Sequence, residues 1–275
     1  MVLRQGDRGE DVKTLQRGLD RLGSMLLVDG DFGPATEAAV AEARESLRLA
    51  PGVEADDRLV DALAAVPEPA PEVTAAGVTF IGREEVSSPA AYRRQYRRPV
   101  WPSAESGITI GIGYDLRFVR DRAKLVVDWG DVLDARVIDR LLAVCGRAGS
   151  RERLDQVGDI EVPFLAATAV FLRRMIPEHA GRTRDTYPSL DTLPPHRRTT
   201  LISLVLNRGN RTHGEGREEM ARIQELLAAG DLAPVAAQIE SMTRLWNPVT
   251  LPGLIQRRLR EARLWRDGFD ALQLA

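Results

Sequence analysis

The chain has little of the residues from which disulfides and metal sites are built. Of its 275 residues one is a cysteine, Cys145, so no disulfide can form within the chain. Its three histidines, His179, His196 and His213, lie 17 residues apart, a spacing that matches none of the compact zinc motifs. We therefore expect no metal and no cofactor. Cys145 lies on an apolar stretch, which favours a buried thiol over a nucleophile.

Long hydrophobic runs are absent as well. None approaches the roughly 20 residues that a membrane-spanning helix needs, so we expect no membrane insertion. The opening segment MVLRQGDRGE lacks the apolar core of a secretory signal, which predicts synthesis in the cytoplasm without an export address. Aromatic residues make up 5% of the chain and are not interleaved with a dense basic stripe, so we expect no nucleic-acid partner. We also expect a monomer.

A proline-rich segment divides the chain into two regions. Pro67-Glu68-Pro69-Ala70-Pro71 alternates prolines, which favours an extended, semi-rigid spacer. We predict a first domain over residues 1–66, a linker over 67–76 and a second domain over 77–275. Residues 1–70 hold 8 basic and 14 acidic side chains, whereas the remainder holds 30 basic and 26 acidic ones. The slight positive charge of the second region weakly favours an anionic polymer as partner.

The first region has a helical pattern. Asp11 is placed to cap a helix, and Pro34 is placed to open a second one, because a proline in the first helical turn loses no hydrogen bond. A third short helix is predicted over residues 57–65. The apolar face of the first helix follows steps of three and four residues and consists of Val12, Leu15, Leu19 and Leu22.

The second region is predicted to be mostly helical with one β element. Apolar residues at helical spacing occur near residues 132–144, 163–174, 195–206, 217–229, 231–242 and 253–267. Residues 107–115 instead alternate glycines with β-branched residues, which predicts a strand or hairpin. The predicted fold class is therefore mainly α (α+β), a three-helix module linked to a helical domain with a small β-hairpin.

Several spaced residues of the first region resemble the three-helix peptidoglycan-binding domain. They are Leu3, Gly6, Gly9, Val12, Leu15, Gln16 and Leu19, followed by the run Asp-Gly-Asp-Phe-Gly-Pro-Ala-Thr that starts at Asp29. Phe32 is expected to fill the core of this module. The resemblance implies bacterial peptidoglycan as partner, with Asp31 and Thr36 as candidate contacts. Both residues have helix capping as an equal alternative.

Four segments of the second region resemble phage-type lysozymes and pesticin-like muramidases. They occur in the family's order, namely residues 80–86, in which an apolar lead is followed by two carboxylates, Thr-Ile-Gly-Ile-Gly at 109–113, Ser-Leu-Val-Leu-Asn-Arg-Gly at 203–209, and Gly-Leu-Ile-Gln-Arg-Arg-Leu-Arg-Glu at 253–261. The resemblance implies a lysozyme-like fold and cleavage of the β-1,4 bond between N-acetylmuramic acid and N-acetylglucosamine. Such cleavage needs one acid to protonate the leaving oxygen and one carboxylate to activate water.

Glu85 is the candidate general acid, with Glu84 as the alternative. Adjacent helical residues point about 100° apart, so only one of the two can face a cleft. The resemblance favours Glu85, because Glu85-Val-Ser-Ser matches the residues that follow the acid in similar sequences.

The second carboxylate departs from the common phage pattern. Six residues before Thr109, where that pattern has an aspartate, stands Ser103. The alternatives are Glu105 and Asp115, and Asp115 is favoured because pesticin-like sequences place their aspartate six residues after the threonine. We expect Asp115 and the Thr109 hydroxyl to hold the attacking water. We also expect inversion of the anomeric centre and a carboxyl separation of roughly 6.5–9.5 Å.

Other residues are candidates for binding or positioning. Tyr114 and Trp101 are candidate platforms for sugar rings, and Asn207 is a candidate for a hydrogen bond to the acid or the substrate. One of three arginines is expected to pair with Glu85, the choices being Arg244, Arg257 and Arg258. Trp246 and Trp265 are expected to be core residues.

The resulting hypothesis is a cell-wall muramidase targeted by its first domain. The alternatives are a lytic transglycosylase or chitinase on the same fold, or a peptidoglycan-binding protein without activity. Wall cleavage without an export signal is typical of a phage endolysin released through a pore, or of an injected antibacterial effector. Both would act on the periplasmic or extracellular wall.

Overall fold

The computed structural model describes residues 2–102 and 106–274 and is mainly α-helical with one small β-hairpin, as the sequence predicts. Its helices are α1 (Glu10–Arg21), α2 (Pro34–Ser46), α3 (Asp57–Ala64), α4 (Ala75–Val86), α5 (Pro89–Gln95), α6 (Arg122–Trp129), α7 (Ala135–Leu142), α8 (Arg151–Val157), α9 (Phe164–Val170), α10 (Ile176–Thr186), α11 (Pro195–Arg208), α12 (Glu218–Ala228), α13 (Val235–Ser241) and α14 (Pro252–Asp267). The hairpin consists of β1 (Thr109–Ile110) and β2 (Tyr114–Asp115).

The chain forms two compact units. Unit 1 comprises Met1–Leu22, Leu26–Ile81 and Ile176–Ala275, and unit 2 comprises Gly23–Met25 and Gly82–Met175. This division differs from the boundaries derived from the sequence, because helices from the end of the chain belong to the same unit as the first three helices. The predicted domain boundaries stay a prediction.

The first three helices of unit 1 enclose an apolar core. Val12, Leu15 and Leu19 of α1 face this core, as their spacing predicts, and Phe32 is fully buried in it. The prediction for Asp11 was wrong, because α1 begins at Glu10, follows Gly9 and has no side-chain cap. Helix α3 does have one, since the Asp56 carboxylate accepts the Leu59 N–H at 3.0 Å, a contact that stabilises a helix by about 1 kcal/mol.

The proline-rich segment is attached to unit 1. Ala70 and the nearby Val73 are buried. Glu68 accepts the Ala75 N–H at 2.7 Å and lies 3.7 Å from the Arg21 guanidinium. These contacts hold the segment along much of its length, so it does not act as a free spacer within this unit.

The C-terminal helices complete unit 1. Helix α14 packs against α11 and α13, and α10 packs against α11. Trp265 is buried and donates its indole N–H to the Leu232 carbonyl at 3.1 Å, which confirms its prediction as a core residue. Trp246 is only half-buried and lies between the guanidinium groups of Arg208 and Arg258.

Unit 2 contains the hairpin and helices α5 to α9. Buried aromatic residues hold these elements together: Tyr92 of α5 contacts Phe164 of α9, with ring centroids 5.4 Å apart. The Tyr92 hydroxyl donates to the Val162 carbonyl at 2.9 Å. Trp129 of α6 is fully buried against Gly111 of the hairpin turn. Buried apolar residues, Trp129 among them, thus pack against the turn of the hairpin.

Candidate active site

Glu85 lies one residue before the C-terminal end of α4 and is half-buried. One contact holds this end of α4, and a second holds the start of the next helix, α5. The Arg83 guanidinium donates to the Met25 carbonyl at 2.9 Å, and Ser88 caps the following helix by accepting the Ala91 N–H at 3.1 Å. Between the helices, Ser87 adopts a left-handed conformation with φ of 64°, which turns the chain sharply. The backbone that carries Glu85 is therefore held on both sides.

The hairpin places Thr109 and Asp115 directly opposite each other. The two strands are antiparallel, with Thr109 paired to Asp115 and Ile110 to Tyr114. Opposite residues of an antiparallel pair project from the same face, so the Thr109 and Asp115 side chains are neighbours. Thr109 also pairs with Val100 on its other side through two backbone hydrogen bonds, of 2.8 and 2.9 Å. The threonine is consequently the central residue of a three-segment arrangement.

The turn of the hairpin lies against the Glu85 carboxylate. A Cβ atom added to Gly113 would come within 3.0 Å of Glu85 Oε2. Gly113 also has φ of +73°, a conformation that favours glycine. The structure thus places Glu85 of α4 against the turn of the hairpin that carries Thr109 and Asp115, and their catalytic roles stay a prediction.

The Asp115 carboxylate is held by backbone N–H groups. Oδ1 accepts from Gly107 at 3.0 Å and from Arg117 at 2.8 Å, and Oδ2 lies 3.1 Å from the same Gly107 nitrogen. The Arg117 bond caps the short 3-10 helix Leu116–Phe118. Asp115 therefore has the turn-forming role that sequence reasoning gave as its alternative, and its carboxylate is fixed in orientation beside Thr109.

Tyr114 lies in the interior of unit 2. Its ring is buried, meets Trp129 edge-on at 5.4 Å, and its hydroxyl donates to Asp128 Oδ2 at 2.6 Å. Lys124 donates to the same oxygen at 2.9 Å. Tyr114, which was predicted to be a platform for sugar rings, is instead a buried residue that supports the hairpin. Asp128 and Trp129 were missed as supports, although the four-residue step from Leu125 to Trp129 marks the buried face of α6.

Trp101 and Asn207 are both exposed. The Trp101 indole lies against Gly149, where an added Cβ would come within 2.3 Å of the ring, and 36% of the residue is accessible. Its neighbour Val100 pairs with Thr109, so Trp101 directly follows a residue that contacts β1. Asn207 belongs to unit 1 and stands in the last turn of α11.

The candidate arginines have acidic partners within unit 1. Arg257 and Arg258 contact the fully buried Glu261 carboxylate at 3.2 and 2.8 Å, and Ser203 donates to it at 2.6 Å. Arg244 lies 3.1 Å from Glu218 and 2.9 Å from Glu219. The residues resembling Gly-Leu-x-x-Arg-Arg-x-x-Glu therefore form a buried charged cluster. The pairing of one of these arginines with Glu85 stays a prediction.

In the first module, Gln16 organises the loop that contains Asp31 and Thr36. Its buried amide donates to Asp29 Oδ1 at 2.8 Å, to the Asp31 carbonyl at 3.2 Å and to Thr36 Oγ1 at 3.2 Å, and it accepts the Gly30 N–H at 3.0 Å. Thr36 is itself buried, whereas Asp31 is half-buried and paired with Arg8 at 3.0 Å. Thr36 thus has a structural position, and Asp31 retains access to solvent.

Two further groups bear on the chemistry. Glu84, the alternative acid, is half-buried beside Glu85, while Ser103 and Glu105 lie outside the described residues.

Burial raises the pKa of the Cys145 thiol to about 11, which lowers its thiolate fraction and agrees with a non-nucleophilic role. Within residues 2–102 and 106–274, no group of three or more His, Cys, Asp or Glu side chains is arranged to hold a metal ion.

Comparison with known proteins identifies the first module. Residues 8–63 match the family model described as a putative peptidoglycan binding domain. The first module is therefore similar to that family. The crystal structure of the endolysin of the Burkholderia phage AP3 is similar over 96% of this chain and all of that one, at 16% identity and a TM-score of 0.23. A TM-score of this size does not establish a common fold. No curated protein matches the chain. No helix of the described segments is long and apolar enough to span a bilayer.

Proposed function

We propose that the chain is a muramidase that hydrolyses the β-1,4 glycosidic bond between N-acetylmuramic acid and N-acetylglucosamine in the bacterial cell wall. The observation that supports it most directly is the position of Glu85 against Gly113, which lies two residues before Asp115 in the chain. Glycosidic cleavage requires two carboxylates, and here both lie near one hairpin, with the Thr109 hydroxyl beside Asp115 on the neighbouring strand.

In the proposed mechanism Glu85 is the general acid. Its carboxylic proton passes to the glycosidic oxygen as the bond to the anomeric carbon breaks, and the developing oxocarbenium charge is met by water on the opposite face. Asp115 takes a proton from that water, which Thr109 orients through its hydroxyl. The sugar is then released with inverted configuration. The backbone bonds to Asp115 support this role because they fix its carboxylate before substrate arrives.

The hydrogen bonds of Asp115 also favour a second candidate, a lytic transglycosylase. That reaction needs a single acid, because a hydroxyl of the sugar itself replaces water as the attacking group. An aspartate whose oxygens cap a turn would then serve the fold alone.

Asp115→Asn separates the two candidates. A hydrolase should lose roughly 100-fold or more in the rate of sacculus solubilisation, because amide oxygen is a poor base. A transglycosylase should retain most of its rate. Asp121→Asn is a matched control, since Asp121 also caps a helix of unit 2 by accepting the Lys124 N–H at 2.8 Å. Equal losses in both variants, with equal losses of stability, would contradict a catalytic Asp115.

A further inference from the structure

Unit 1 contains a cavity formed by both ends of the chain. Its volume is about 330 Å³, at the lower end of the range for small-molecule sites. Lys13 and Arg17 line it from α1, Val28 and Asp29 from the loop after α1, and Asp270 and Gln273 from the C-terminal segment. The peptidoglycan-binding module therefore supplies four of the six lining residues, and the C-terminal segment supplies the other two.

The C-terminal segment is fastened to the module by backbone contacts. The Gln273 carbonyl accepts the Val28 N–H at 2.8 Å, and the Gln273 N–H donates to the Asp270 carbonyl at 3.0 Å. Gln273 has φ of 56° and ψ of 44°, the left-handed conformation that side-chain-bearing residues adopt only at a cost of about 1–2 kcal/mol. The next residue, Leu274, is buried. The residue with this unfavourable backbone conformation, Gln273, is thus one of those that line the cavity.

The walls of the cavity carry both signs of charge. Lys13 and Arg17 stand one helical turn apart on α1, while Asp29 and Asp270 come from the loop and the C-terminal 3-10 helix Asp270–Leu272. The Lys13 stem rests on Gly30, where an added Cβ would meet Lys13 Cγ at 3.1 Å. Its ammonium pairs with Glu10 at 2.7 Å, but this pair is exposed and such pairs contribute roughly 0–1 kcal/mol. A ligand carboxylate can therefore replace Glu10 at little cost.

The chemistry of the lining favours a peptide over a sugar. Sugar sites commonly offer an aromatic face, and none of the six lining residues is aromatic. Paired cationic and anionic side chains instead suit a ligand that carries both carboxylate and ammonium groups. Within peptidoglycan those groups occur on the peptide stems, whereas the glycan is rich in hydroxyl and acetamido groups.

We propose that this cavity binds the zwitterionic part of a peptidoglycan peptide stem, with Lys13 and Arg17 contacting carboxylates and Asp29 and Asp270 contacting an amine. The proposal rests on peptidoglycan being the partner of the chain, as in the proposed function. It makes the C-terminal segment a component of the wall-binding site, so that the first module alone offers an incomplete one.

The test measures binding of the full chain to a disaccharide-tetrapeptide muropeptide by calorimetry, with the peptide-free disaccharide as the comparison ligand. We expect binding of the muropeptide and at least tenfold weaker binding of the disaccharide. Combining Lys13→Ala with Asp270→Asn should weaken muropeptide binding at least tenfold. A matched control combines Arg58→Ala with Asp61→Asn on the exposed surface of α3 and should leave it unchanged.

Two substitutions at one position test the closure itself. Gln273→Gly keeps the left-handed backbone and should retain binding, whereas Gln273→Pro cannot adopt a positive φ and should abolish it. Equal binding of the peptide-free disaccharide, no muropeptide binding, or unchanged binding in the Lys13/Asp270 variant would each overturn the proposal. Sacculus cleavage is measured on the same variants, and its persistence would show that the enzymatic proposal stands even where the cavity proposal fails.

Discussion

The Glu85 carboxylate lies directly over Gly113, so close that a methyl group on the glycine would come within 3.0 Å of Oε2. Gly113 is the last residue of the turn before β2, and its positive φ helps to form that turn. Because Gly113 has no side chain, it both leaves room for the Glu85 carboxylate and allows the backbone conformation of the turn. The geometry of the candidate site can therefore be disturbed without altering any ionisable group.

Gly113→Ala should damage activity more than stability. The methyl group displaces Glu85, and an error of about 1 Å in a catalytic group costs roughly 10- to 100-fold in kcat/KM. The positive φ adds a stability loss of about 1–2 kcal/mol. Initial rates of sacculus solubilisation and urea unfolding measure the two effects. Gly181→Ala on α10 is the control, because an added Cβ there meets no described residue within 4 Å beyond the backbone of its own helix. Unchanged kcat/KM in Gly113→Ala would contradict the placement of the acid.

Tyr114→Phe should destabilise unit 2. The phenol donates to the buried Asp128 carboxylate at 2.6 Å, and loss of a bond to a charged group costs about 2 kcal/mol. Lys124 remains as a partner of Asp128, so the loss should not exceed that of a single bond. Urea unfolding monitored by tryptophan fluorescence measures it. Tyr96→Phe, at a half-buried ring on the same unit, should change the free energy of unfolding by less than about 0.5 kcal/mol. Similar losses in the two variants would refute the supporting role of Tyr114.

Gln16→Leu should unfold the loop of the wall-binding module. Leucine is close to glutamine in size but leaves the Gly30 N–H and the Asp31 carbonyl without the bonds that Gln16 makes. Unsatisfied buried groups cost about 1–3 kcal/mol each, so we expect a loss of about 2–4 kcal/mol and reduced retention on sacculi. Thr14→Leu, on the exposed side of the same helix, is the control. Full retention of stability in Gln16→Leu would be incompatible with this network.

His179 should make the protein less stable in acid. Burial lowers the pKa of His179 from 6.5 to about 4, and among residues 2–102 and 106–274 its Nδ1 has no hydrogen-bond partner. Between these pH values the unfolded chain binds a proton that the folded chain does not, so the free energy of unfolding falls as the pH falls from 6.5 to 4. At 1.4 kcal/mol per pKa unit the effect is at most about 3.5 kcal/mol. His179→Gln removes this titration, so its stability should fall less over the same interval. Parallel pH profiles of the two proteins would contradict the burial of His179.

Local signals in the sequence predicted most of the fold. Pro34, Pro89 and Pro195 each stand in the first turn of a helix, as proline chemistry predicts, and the alternating segment at 107–115 forms the hairpin. Helix α10 was not predicted, because two of the four buried residues on its face are threonines. Helices α6 and α8 were not predicted either, because each is short and carries few apolar residues on one face. Their caps, Asp121 and Ser150, were the available signal.

The candidate site was predictable in composition but not in geometry. Motif order singled out Glu85, Thr109 and Asp115, since each lies in a short segment with a recognisable pattern. The contact between Glu85 and Gly113 joins residues 28 positions apart and depends on how α4 and the hairpin pack, which periodicity does not encode. The backbone bonds of Asp115 and the burial of Tyr114 have the same origin. The C-terminal closure of the module likewise depends on contacts between the two ends of the chain.

The most direct test of the central claim is mass spectrometry of purified sacculi digested by the full chain and by two variants. We expect disaccharide peptides with a reducing N-acetylmuramic acid end, their loss with Glu85→Gln, and their persistence with Glu84→Gln. Products ending in 1,6-anhydro-N-acetylmuramic acid would favour the transglycosylase. Products cut only in the peptide, or unchanged release with Glu85→Gln, would contradict the claim that Glu85 is the acid of a muramidase.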